Sequence, residues 1–169
     1  YSSGVITGCA RYQTFLYSAS GTTFTKFQNL NDIPGNPPNS GYWNFPYTID
    51  GGGIYKGFTS DSDGNVYFTD FTKGRLWIYT ASSNSISSYG GFTSPTGVAV
   101  LGGNAYVAQN IVNGGIAVFS LSKHQIVSTI ATSGAKPFDV ISTGTGIVWG
   151  SNGSDGSVCA VGGECANTG

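Results

Sequence analysis

Methionine is absent from the 169 residues, His124 and Glu164 are the single histidine and glutamate, and only 9% of residues are charged. An average soluble domain carries about 25%. Each shortage closes off a class of function. Seven basic against eight acidic residues give a formal net charge of −1, so no basic face awaits nucleic acid. Nucleophilic catalysis needs a base beside a Ser or Cys. The one histidine falls in "LSKHQIV", which reads as a solvent-facing turn between outer strands. No apolar run approaches the roughly 18 residues of a membrane span. Glycine motifs that open a helix and cradle phosphate are missing as well. With no initiator, a chain starting at Tyr1 is expected to be either processed after loss of a signal peptide or a trimmed piece. Solubility rests on Ser, Thr, Asn, Gln and Gly. Such a surface titrates little and suits a secreted, extracellular or cell-surface setting.

Cysteine is scarce and odd in number: Cys9, Cys159 and Cys165. The short loop "CAVGGEC" sets Cys159 and Cys165 up as a disulfide pair. Cys9 is then left free or bonded to another chain. The spacing fits no zinc pattern. Asn152-Gly153-Ser154 is the one glycosylation sequon, placing a candidate modification at Asn152.

What is abundant points one way. There are 27 glycines, and β-branched and aromatic residues alternate with polar ones. "NVYFTD", "RLWIYTA", "GVAVL", "AYVAQN", "GIAVFSL" and "QIVSTIA" read as short strands. Asp63-Gly64-Asn65, Lys73-Gly74, Gly102-Gly103-Asn104 and Asn113-Gly114-Gly115 separate them as turns. The fold class is all-β. The strands also repeat: units begin near Gly57, Thr96 and Phe138, and Gly74, Gly115 and Gly156 recur every 41 residues. A period near 40 with four strands per unit marks a propeller blade.

These residues carry a resemblance. "PTGVAV…GNAYVAQN…GGIAVFS" followed by "IVSTIA…KPFDV" resembles the YVTN-type repeat of surface-layer-like β-propellers. "DSDGNVYFTDFTKGRLWIY" is similar to NHL-type and streptogramin-lyase-type repeats. The resemblance covers roughly residues 57–161 and implies four-stranded blades. It leaves function open, because such blades serve enzymes, binding proteins and surface proteins alike. Lyases of that type use a channel histidine with a metal and acids, and no second histidine exists here. Lactonase-like propellers bind calcium through Glu, Asn and Asp at the channel, and the only Glu sits in the terminal Cys loop.

Blade arithmetic gives about three. Residues 57–91 and 96–134 read as whole blades and 138–161 as the inner strands of a partial one. Residues 13–30 resemble an outer hairpin, and 31–53 form a Pro/Gly/aromatic insertion whose prolines exclude a central strand. Closed propellers need four to eight blades. Three resolutions are open. The chain is a fragment of a longer propeller, or the proline-rich segment hides an irregular fourth blade or cap, or partial blades are completed between chains.

Two stretches are candidate sites. In "SDSDGNVYFTD", Asp61, Asp63 and Asn65 place hard oxygen ligands at alternate positions, as a calcium loop does. The glycine comes early and no Glu closes the loop, so a blade corner competes with a metal. Asp50, Asp70 and Asp139 are further carboxylates at loop or strand-end positions. Tyr42, Trp43, Phe45 and Tyr47 crowd one loop and offer faces for a sugar or a partner. Trp77 and Trp149 lie within strands and are expected to pack between blades. The function expected is a non-catalytic extracellular structural or interaction protein with no cofactor, which self-associates into a head-to-tail oligomer or filament. The alternatives are a carbohydrate-binding module using residues 42–47, or a fragment of a propeller lyase or lactonase.

Overall fold

A computed structural model describes residues 9–12, 15–20, 22–27, 44–50, 53–151, 156–163 and 165–167. The described residues contain strands and turns and no helix, hence none long and apolar enough to cross a membrane. Sixteen strands form four antiparallel sheets, each in simple sequence order. The first holds β1 (Cys9–Tyr12), β2 (Phe15–Ser20), β3 (Thr23–Phe27) and β4 (Asn44–Thr48). The second holds β5 (Tyr55–Ser60), β6 (Val66–Asp70), β7 (Arg75–Thr80) and β8 (Ser85–Tyr89). The third holds β9 (Pro95–Leu101), β10 (Asn104–Gln109), β11 (Ile116–Ser120) and β12 (Gln125–Ile130). The fourth holds β13 (Pro137–Ser142), β14 (Ile147–Ser151), β15 (Ser157–Ala160) and β16 (Cys165–Asn167).

The all-β blade architecture is as expected, and the count is four blades where about three were expected. The difference lies at the two ends. The hairpin within 13–30 is the central pair of a sheet, β2 and β3, and not its outer edge. "CARY" adds an inner strand before it, with Cys9 paired to Ser18 and Tyr12 to Phe15. Between β1 and β2 the sequence has only Gln13 and Thr14, with no glycine or asparagine to mark a turn, so β1 is hard to read. Part of the 31–53 insertion is strand β4, paired through Thr25 and Pro46. Pro46 is tolerated because β4 is an edge, where a missing N–H breaks no second ladder. At the other end, three residues of β16 complete the last blade. Among the described residues each sheet therefore holds four strands, with no partial blade.

Burial follows from blades packing on both faces. In β6 and β11 every residue is buried, so alternation disappears. The outer strands β8 and β12 have no buried residue, each being exposed or half-buried, and both carry polar residues, as edges facing water must. Three cores result. Between the first two blades lies an aromatic core, where Phe24 stacks on Phe68 at 5.1 Å and Phe68 on Trp77 at 6.1 Å. Between the second and third, Tyr67, Leu76 and Phe92 meet Val98, Val107 and Phe119. Between the third and fourth, Ala99, Ala108 and Ile116 meet Val140, Trp149 and Cys159. Trp77 and Trp149 thus pack between blades.

The spacing of the blades is set at the inner strands. A Cβ on Gly57 would lie 2.8 Å from Val98 N, and one on Gly97 would lie 2.7 Å from the Cα of Asp139. Backbone touches backbone at both joints. Beside each joint a register shift interrupts the ladder, between Tyr55 and Phe58 in β5 and between Pro137 and Asp139 in β13. The shift frees backbone groups, and side chains take them up. The buried Thr69 hydroxyl accepts from Gly57 N at 2.9 Å and donates to Thr96 O at 2.5 Å. Asn110 Nδ2 donates to Pro137 O at 3.2 Å across the next joint. The repeat glycines Gly74, Gly115 and Gly156 all sit at positive φ (62°, 71° and 50°). Each turns the chain between the second and third strands, which is why they recur.

Cys159 and Cys165 form a disulfide across directly paired positions of β15 and β16. It ties the shortest strand to Cys159, which is buried against the third blade.

Two outcomes are expected. Gly57→Ala forces the second and third blades apart and lowers unfolding stability by about 1–3 kcal/mol, read by denaturant titration. Burial lifts the Tyr55 hydroxyl to about 12, with nearby Asp70 adding to the shift, and lifts Tyr47 to about 12 with help from Tyr79. Both groups ionise less readily folded than unfolded, where the value is about 10. Their stabilising contribution is therefore complete below pH 10 and lost as pH rises from about 10 through 12. Ultraviolet absorbance of tyrosinate, followed alongside circular dichroism, should show ionisation and unfolding in that same window.

Candidate interaction site

Turns joining first to second strands and third to fourth strands all emerge at one end of the blades. A cavity of about 1150 Å³ opens there, between the second and third blades and reaching the inner strand of the fourth. Asp61, Asp63 and Asp139 contribute carboxylates, with Lys56 as the one lysine of the lining. Tyr89 and His124 line the rim, their rings 5.0 Å apart and nearly parallel. His124 holds a positive φ of 53° in the β11–β12 turn. The sequence places that turn in solvent. His124 is exposed there, and the turn also borders the cavity, where Tyr89 of the neighbouring blade stands beside it. No local pattern could have paired residues from two different blades.

The "SDSDGNVYFTD" stretch is the β5–β6 corner. Asp61 organises it: Oδ1 accepts from Asp63 N at 2.9 Å and Asn65 N at 3.0 Å. Oδ2 accepts from Asn65 Nδ2 at 2.9 Å and Tyr67 OH at 2.7 Å. Asn65 Oδ1 turns the other way and accepts from Ala81 N at 3.0 Å, tying this corner to the β7–β8 turn. Burial, then the bond to Asp61, pushes the Tyr67 hydroxyl far above its ordinary value. Asp61, Asp63 and Asn65 are thus brought together, with Asp61 and Asn65 engaged in holding the turn. Among the described residues no three of His, Cys, Asp and Glu converge in a metal-binding set.

The other carboxylates are scattered. Asp50 is exposed and pairs with Arg75 at 2.7 Å, a bond that lowers its pKa, with Lys73 adding to it. Asp70 is buried at the opposite end, where Oδ1 accepts from Lys73 N at 2.9 Å. Asp139 is exposed at the inner strand of the fourth blade.

Of the aromatic cluster, Tyr42 and Trp43 lie outside the described residues, as does Asn152. Phe45 is described as a backbone position of β4. Tyr47 is half-buried, packs on Phe24 at 5.8 Å and Tyr79 at 5.5 Å, and donates to Asn84 Oδ1. It is part of the joint between the first two blades. Cys9 is likewise described only through its backbone in β1.

Among the described residues the array of blades is not closed into a ring, and its end sheets keep a face with no described blade on it. On the fourth blade that face shows Ile141 and Val158, 57% and 41% exposed.

No family model matches the chain, and no curated protein sequence matches it. Solved structures do. Virginiamycin B lyase from Staphylococcus aureus superposes with a TM-score of 0.73 at 15% identity, over 96% of this chain and 54% of that one. The Pan2 WD40 domain of Neurospora crassa gives 0.65 at 15% identity, over 95% and 47%. The computationally designed Ika4 protein gives 0.68 at 14% identity, over 95% and 92%. The chain spans about half the length of the lyase and WD40 chains. Likeness at such identity carries the fold: four blades of β-propeller type, in keeping with the repeat resemblance read from the sequence.

Removing the corner's organiser tests its role. Asp61→Ala strands the Tyr67 hydroxyl and two backbone donors and should cost about 2 kcal/mol. Denaturant unfolding with and without added calcium reads both roles. An equal loss in the two conditions assigns Asp61 to the turn, and a loss confined to calcium assigns the corner a cation.

Proposed function

We propose that the chain is a non-catalytic, extracellular structural or interaction module that works by associating with further copies of itself. The observation that carries this reading is the open blade array. Four complete blades stack in sequence, the ring is not closed, and the end of the array presents apolar side chains to solvent. Self-association covers them. Because each sheet already has four strands, the association proceeds face to face and not by exchange of strands. The propeller architecture supports an interaction role, since propellers such as the WD40 domain of Pan2 share it. The Cys159–Cys165 disulfide and the low charge favour an oxidising, extracellular or cell-surface setting.

Native mass, measured by light scattering on the purified chain across a range of concentrations, tests this. A mass that rises with concentration from one chain to a multiple of the single-chain mass is expected. A single-chain mass at every concentration would remove self-association from the account.

A further inference from the structure

The face that carries association can be read by comparing the third and fourth blades position by position. In the third, Ala99 pairs with Tyr106, Tyr106 with Val118, and Ala108 with Ile116. In the fourth, Ile141 pairs with Val148, Val148 with Ala160, and Gly150 with Val158. Cross-strand partners share one face of a sheet. The two sets are therefore equivalent, and both point away from the preceding blade. In the third blade Ala99, Ala108 and Ile116 are 2%, 0% and 0% exposed, covered by the fourth. In the fourth, Ile141 and Val158 are 57% and 41% exposed. The fourth blade is built like an internal one, and among the described residues nothing covers that face.

Resting on the self-association proposed above, we infer that the cover is the first blade of a second copy, and that two chains close head to tail. Continuity with the existing joints selects this occupant. At each joint within the chain, a face of this kind meets the opposite kind of face on the following blade. The first blade carries such a face on the side away from Tyr17, Phe24 and Tyr47, which are committed to the second blade. Thr23 and Thr25 alternate with Phe24 on that side and are half-buried. Two copies joined twice in this way give eight blades, within the roughly four to eight of closed propellers, and the contact is heterologous and closes.

The joint between copies differs from those inside the chain. Asp139 stands where Gly57 and Gly97 stand in the second and third blades. The incoming inner strand meets a side chain there rather than bare backbone. Cohesion then rests on Ile141, Val148, Ala160 and Val158.

Complementation between variants tests the inference. Ile141→Asp and Thr25→Arg, each alone, should reduce the two-chain mass to one chain while circular dichroism stays unchanged. Mixed in equal amounts they should restore a two-chain species, because one intact joint forms between the wild-type first blade of one and the wild-type fourth blade of the other. Val127→Asp, at an exposed outer-strand position, should leave the mass as it was. Wild-type self-association that survives Ile141→Asp overturns the inference and leaves the wider reading standing. Loss with Ile141→Asp but not with Thr25→Arg overturns the head-to-tail arrangement in favour of fourth blade against fourth blade. A wild-type chain that is single at every concentration removes both readings.

Discussion

Backbone contact between adjacent inner strands, at Gly57 and at Gly97, is the constraint from which the rest of this structure follows. A four-stranded sheet has two faces and cannot cover either alone. Bringing inner strands to contact distance fixes how far apart neighbouring sheets stand, and so how much side-chain volume each joint must hold. The aromatic stack of Phe24, Phe68 and Trp77 and the smaller set of Ala99, Ala108 and Ile116 are two ways of filling that space. The close approach also interrupts the ladders. Thr69 and Asn110 take up the backbone groups left over, so the joints are polar at the axis and apolar outside it.

An array held together by nearest-neighbour joints is nearly one-dimensional, and such arrays concentrate their unsatisfied surface at the ends. The outer strands are safe in water because Ser-rich β8 and exposed β12 have polar faces, and β16 is pinned by its disulfide. The end faces are different in kind. That of the fourth blade exposes Ile141 and Val158 where the third buries Ala99 and Ile116, and that of the first carries Thr23 and Thr25.

Much of this was legible before any coordinates. Gly74, Gly115 and Gly156 recur because a turn at positive φ recurs, and the period they mark is the blade. Trp77 and Trp149 were readable as joint fillers from their place in strands. The ends were not. "CARY" is a short inner strand whose hairpin has no glycine or asparagine, and β4 is interrupted by a proline and preceded by a long insertion. Local signals failed where tertiary pairing supplied what propensity lacked. The candidate site shows the same division. Asp61 looked like the first ligand of a cation loop, and its four hydrogen bonds make it the organiser of a turn. Tyr47 looked like a free ring and is wedged against Phe24 and Tyr79. His124 and Tyr89 meet at the cavity only because two blades stand side by side.

The sequence by itself determined the all-β class, the four-stranded blade, its period and the cysteine pair, since alternation, turn glycines and loop spacing are local properties of a chain. Tertiary structure alone decided the number of blades, which residues share the cavity, and which face is left bare. Those depend on how sheets stack, and stacking is governed by backbone contact between residues about forty positions apart, where no local pattern reaches.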